Sequence, residues 1–238
     1  MDVVNRTWLV VACALSGLLL SPGTPAQVTS QRPVAVVEAV QGKVEGVGLM
    51  DYVAAGQVIK LGAQDSIVLG YLKSCLRETI SGGTVIVLED QSLVQLGKVE
   101  RSQVKCDSNH LQLNGRDPRD SAGNVFRGKP REQADPAASL LTLYGRSPIV
   151  EVNAQREPLI FERTDATAPA IEVPVSDVVL VRGRFVDLAR GGISLAAGAR
   201  YRARQGKSSR EFLVDAEAGT GATPVIGRLL RFDEGTGR

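Results

Sequence analysis

Residues Ser74–Leu88 read SCLRETISGGTVIVL. The runs Arg77–Ile80 and Thr84–Leu88, both rich in β-branched residues, flank Ser81-Gly82-Gly83. That spacing predicts a β-hairpin, because glycine supplies the positive φ that tight turns need. Arg77 and Glu78 are adjacent, so in a strand they point to opposite faces and do not pair with one another. Cys75, just ahead of them, raises a further question: a reactive thiol, a metal ligand or a covalent staple.

The same style extends on both sides of this stretch. VAVVEAVQGKVEGVG, YVAAGQVIKLG and DSIVLGYLKSCL precede it, while SLVQLG and RSQVKC follow. Strand-like runs recur about every 8–12 residues with glycine punctuation, and none sustains a helical period. Residues 33–107 are therefore expected to form an all-β domain. Residues 108–138, rich in Asp, Arg, Gly and Pro, hold too few apolar side chains for a core and read as a linker or long loop. From Ser139, SLLTLYG, PIVEV, PLIFER, VVLVRGRFVDL, ARYRARQ and REFLVDA predict a second β domain over 139–238. So many short strands with turns between them suggest an immunoglobulin-like sandwich, on architecture alone.

Thr7–Leu20 is an apolar run of 14 residues, followed by SPGTPA. Its helical length, about 21 Å, falls short of the roughly 30 Å of a bilayer core. Thr24 and Ala26 are small where a signal peptidase requires it. Residues 1–26 are expected to be a signal peptide cleaved after Ala26, with an uncleaved anchor as the alternative, which places the chain in the periplasm. The 238-residue chain carries a net charge of +2, so nothing in its charge favours nucleic acid or an anionic membrane. No later segment is apolar enough to span a bilayer.

Cys13 leaves with the leader, and Cys75 and Cys106 remain, an even count in an oxidising compartment. A disulfide between them is the default reading. It would close a loop of about 30 residues, worth about 3–4 kcal/mol in the chain-entropy model. A zinc site lacks ligands, since His110 is the sole histidine. A Cys75–His110 dyad is the other alternative, weakened by the polar, loop-like setting of His110.

The order of features in the first domain resembles the FecR-type periplasmic domain. QGKV (Gln41–Val44) is followed by AAGQVIKLG (Ala54–Gly62), Asp65-Ser66, the run IVLGYL, the Gly82-Gly83 turn and TVIVL. The likeness covers about 70 residues, and implies a compact envelope β module used for interaction. Such proteins relay the state of an outer-membrane transporter to a sigma factor through a cytoplasmic segment ahead of a membrane span. Only six residues precede the apolar run here, so that role is not expected to carry over, and the Cys75–Cys106 pair is not part of the family's pattern.

Among surface features, Arg200, Arg202 and Arg204 alternate with Tyr201 and Ala203, which aligns three guanidinium groups on one strand face. Lys207 and Arg210 extend the charge. Arginine forks suit carboxylates and phosphates, so this face is a candidate for an acidic partner, glycan or lipid headgroup; a solvated outer face is the competing reading. Asp51, Asp65, Glu89 and Asp90 flank turns, and no spacing singles out a pair for the acid–base work of a glycan hydrolase. No catalytic residue, cofactor or metal is expected. The reading is a non-enzymatic periplasmic binding or sensing module that meets an envelope protein, for example by β-addition at a strand edge. The alternative is a structural or accessory protein on an anionic glycan or lipid headgroup.

Overall fold

The computed structural model describes residues 32–111, 140–153, 156–176 and 180–232. The expected leader and residues 112–138 of the expected linker lie outside them. The protein is all-β, as the turn spacing predicts. Strands β1 (Pro33–Gln41), β2 (Tyr52–Ala54), β3 (Val58–Tyr71), β4 (Leu76–Val87), β5 (Ser92–Gln95) and β6 (Lys98–Gln103) form one antiparallel sheet. Its order is β2-β1-β3-β4-β5, with β6 also on β4.

The hairpin expected at Gly82-Gly83 is not formed. β4 runs through both glycines as a single strand of 12 residues. Their φ values are 65° and 80°, so they kink the strand without reversing it. Its neighbours break at the same level. β3 pairs with β4 as far as Leu61↔Gly83 and resumes at Ser66↔Ser81. β5 and β6 are successive segments along β4, interrupted at Leu96-Gly97. A Cβ on Gly83 would lie 2.3 Å from the Gln95 carbonyl oxygen and 2.7 Å from the Gly97 nitrogen. The glycines thus permit a close backbone crossing, the other use of glycine within a strand.

This crease explains the core of the sheet. Inward-facing residues of β4 change parity across it, from Glu78 and Ile80 to Val85 and Val87. Both parts then supply one apolar cluster, with Val37, Ile59, Ile67, Leu69 and Tyr71 at its heart. Asp65 fastens the crease on the β3 side: it accepts the Lys43 N–H at 3.0 Å and the Gly62 N–H at 2.9 Å. The Cys75–Cys106 disulfide is present, with a Cα–Cα distance of 5.6 Å. It locks the end of the β4–β6 ladder, beside the Leu76↔Gln103 pair.

The remaining strands are β7 (Leu141–Gly145), β8 (Ile149–Glu151), β9 (Leu159–Arg163), β10 (Ile171–Val173), β11 (Leu180–Val181), β12 (Phe185–Asp187), β13 (Arg200–Gln205), β14 (Ser208–Gly219) and β15 (Leu229–Arg231). They make a sandwich-like pair of sheets, β10-β9-β13-β14-β7 and β11-β12-β8-β15. Two pairings, β14 with β7 and β15 with β8, are parallel.

The four-stranded sheet is apolar on both faces. Val150, Val186 and Leu230 enter the cluster shared with Phe161, Tyr201 and Phe212 of the five-stranded sheet. Their sequence neighbours Ile149, Phe185 and Leu229 point the other way, into a cluster with Val36, Met50 and Leu72 of the first sheet. Strands buried on both faces read as unbroken apolar pairs, which is what IV, FV and LL are. Described residues on both sides of the expected linker therefore share a core and belong to one compact unit.

Candidate functional site

A cleft of about 500 Å³ opens where the first sheet meets the four-stranded one. Its apolar lining includes Leu49, Met50, Ile149, Val181 and Val225. Two carboxylate–guanidinium pairs stand among them. The Glu38 side chain, on β1, is almost wholly buried and accepts the Arg77 Nε–H of β4 at 2.7 Å. Its other oxygen accepts the Ile226 N–H at 3.1 Å.

The Glu38–Arg77 pair bridges from β1 to β4 across β3, and Gly70 makes the bridge possible. A Cβ on Gly70 would lie 2.6 Å from Glu38 Oε1 and 2.7 Å from Ile226 Cγ2. Gly70 is therefore required for space, where a carboxylate and an isoleucine meet over the middle strand.

The opposite wall carries Asp187 of β12 and Arg228. Arg228 Nη1 donates to Asp187 Oδ1 at 2.6 Å and to the Ser147 carbonyl at 2.9 Å. Its Nε–H goes to the Thr223 carbonyl at 2.9 Å, and Asp187 Oδ1 also accepts the Ala189 N–H at 3.0 Å. Buried Arg228 is thus engaged on every side. Arg190, which also lines the cleft, is 61% exposed and stands 4.0 Å from Asp187.

Arg77 and Glu78 do point to opposite faces, as the sequence predicts, and each has its own partner. Glu78 is fully buried and accepts the Arg101 Nε–H at 2.7 Å and the Ser92 N–H at 3.0 Å. Ser92 meets the Tyr71 hydroxyl at 2.6 Å. This network ties β3, β4, β5 and β6 together. Burial pushes the Tyr71 hydroxyl well above the ordinary tyrosine value, and the Glu78 charge adds to the rise.

The arginine strand lies as expected: exposed Arg200 and Arg202 and half-buried Arg204 alternate with buried Tyr201, Ala203 and Gln205. Carboxylates already hold two of these groups, Arg202 to Glu211 and Arg204 to Glu162, both at 2.5 Å. Arg210 donates to the Arg231 carbonyl at 3.1 Å, and Lys207 is exposed in the turn joining β13 to β14. His110 sits on a one-turn helix, α1 (Ser108–Leu111), with Nδ1 2.8 Å from Asp107. With Cys75 oxidised in the disulfide, no Cys75–His110 dyad exists. Asp51 binds Arg182, Asp65 caps backbone groups, and Asp90 meets Lys73. Among the described residues no three side chains of the metal-ligating kinds converge.

The cleft residues were not visible in the sequence as a group. Arg228 and Arg231 stand out there only as cations flanking Leu229-Leu230, and Glu38, Asp187 and Arg190 carry no local signal. No family model, curated protein or solved structure matches this chain.

Proposed function

We propose that this chain is a non-enzymatic binding or sensing module of the cell envelope, periplasmic once its leader is removed, that receives its partner in the junction cleft. One observation carries this reading: an apolar hollow of ligand size whose walls come from two sheet systems and whose carboxylates are already neutralised by fixed partners. Neutralised carboxylates suit recognition and are poorly placed for acid–base work. The FecR-like order of features in residues 33–107 and the immunoglobulin-like reading of 139–238 belong to the same proposal, as architectures used for interaction.

Strand addition is the second reading, and β6 favours it. It pairs only with β4 among the described residues, and five of its six residues are exposed. An anionic polymer on the β13 face is less favoured, because Glu211 and Glu162 already occupy Arg202 and Arg204.

A photo-crosslinking residue placed at exposed Ala222, on the cleft, or at exposed Ser102, on β6, separates these readings in the native envelope. Adducts from Ala222 are expected. Adducts from Ser102 alone would transfer the function to the strand edge, and none from Ala222 would remove the cleft from it.

A further inference from the structure

We infer that the junction cleft binds an amphipathic carboxylate, gripped by the terminal nitrogens of Arg77 and by Arg190. The inference rests on the cleft being the binding site, and adds the chemistry of what enters it. Three arginines (77, 190 and 228) face two carboxylates (Glu38 and Asp187) along the lining, which leaves one net positive charge.

Hydrogen-bond capacity points the same way. Every carboxylate oxygen is engaged: Glu38 by Arg77 and Ile226 N–H, Asp187 by Arg228 and Ala189 N–H. The guanidinium groups are not. Arg77 commits only its Nε–H, so among the described residues its four terminal N–H donors have no partner, and the side chain is one-third exposed. Arg190 makes only the 4.0 Å ion contact to Asp187. Arg228 is consumed by its four acceptors, so it shapes the wall without reaching a ligand.

A hollow with unengaged cationic donors and no unengaged carboxylate selects an acceptor-only anion, and arginine forks match carboxylate oxygens in pairs. Most of the other lining is apolar, Leu49, Met50, Ile149, Val181 and Val225 among it, and this suits an apolar body of several carbons behind that anion. The buried Thr223 hydroxyl, without a partner among the described residues, adds one further donor. A free organic acid or the terminal carboxylate of an apolar polypeptide tail presents this chemistry.

Calorimetry on the full chain at low salt tests the assignment with octanoate, octylammonium and a short apolar peptide ending in either a free acid or an amide. Octanoate is expected to bind at one site, with octylammonium about tenfold weaker or more. Arg190→Gln, a substitution at an exposed position, is expected to weaken octanoate about tenfold. Arg77→Lys keeps the charge beside Glu38, removes the fork, and should weaken octanoate similarly. Ala222→Trp, which fills the cleft mouth, should abolish binding.

Tighter binding of the peptide acid than of octanoate, with no binding of the amide, would assign the carboxylate to a chain end; the reverse order would assign it to a free acid. Either supports the inference. Equal binding of octanoate and octylammonium, both lost in Ala222→Trp, would overturn the carboxylate assignment and leave the cleft as the site. Octanoate binding indifferent to both arginine substitutions, or no binding of octanoate or the peptide acid, would overturn it as well, and adducts from Ala222 would then decide the cleft separately.

Discussion

Burial, not proximity, decides what each ion pair contributes. Arg101–Glu78 and Lys73–Asp90 have similar contact distances, 2.7 and 3.2 Å, but Glu78 is fully buried while the second pair is more than half exposed on both sides. Arg101→Met would strand a carboxylate with only the Ser92 N–H for company, at a cost of about 3–5 kcal/mol. Lys73→Met should cost about 1 kcal/mol or less. Urea titration of both variants checks the contrast, and equal costs would contradict it. The buried tyrosines add a pH signature. Burial raises the hydroxyls of Tyr71 and Tyr52 above their ordinary value, with Glu151 adding to the rise at Tyr52 and Arg231 opposing it. The folded state therefore keeps protons that the unfolded chain releases. Stability is intact below the ordinary tyrosine value of about 10 and falls as pH rises past it. Urea midpoints between about pH 9 and 11 should drop in the parent protein, and Tyr71→Phe should flatten that drop.

At the level of strands, the crease in the first sheet is the decisive element. Gly83→Ala forces a Cβ into the Gln95 carbonyl at a positive φ. It should cost about 2–5 kcal/mol, combining left-handed strain with overpacking against backbone. The double Cys75→Ser/Cys106→Ser variant should lose about 3–4 kcal/mol, because the freed loop regains its entropy when unfolded. Chemical denaturation measures both. The same crease shows how far sequence patterns reach. The all-β class follows from turn spacing, and the disulfide from the even cysteine count left once the expected leader is set aside. A glycine pair between β-branched runs, however, serves a hairpin or a kink equally well. What distinguishes them is Leu96-Gly97 crossing at the same level, a contact between distant segments that no local pattern encodes. The cleft was illegible for the same reason. Glu38, Arg77, Arg228 and the Asp187/Arg190 pair come from distant segments, and only the fold brings them around one cleft. By contrast, the Arg200/Arg202/Arg204 alternation was legible because a strand's period of two is local, whereas the carboxylates opposite it are not.

Across the described residues, the sheets are layers that share their cores. The four-stranded sheet gives one face to each neighbour, so the segments on either side of residues 108–138 should unfold together. Ile226→Asp, at a buried position next to Glu38, should lower a single transition seen by both near- and far-ultraviolet dichroism. Two separated transitions would contradict a shared core. Fixed layers also give the cleft a lasting shape, since its walls are held by the Glu38–Ile226 and Asp187–Arg228 contacts and by the Tyr52–Glu151 bond at 2.9 Å. Amide hydrogen exchange on the full chain, with and without envelope extract, tests the central claim most directly. Protection should rise at Leu49–Asp51 and Ala222–Arg228 and stay unchanged along β6. Protection gained only at Lys98–Gln103, or nowhere, would contradict the cleft as the site of recognition.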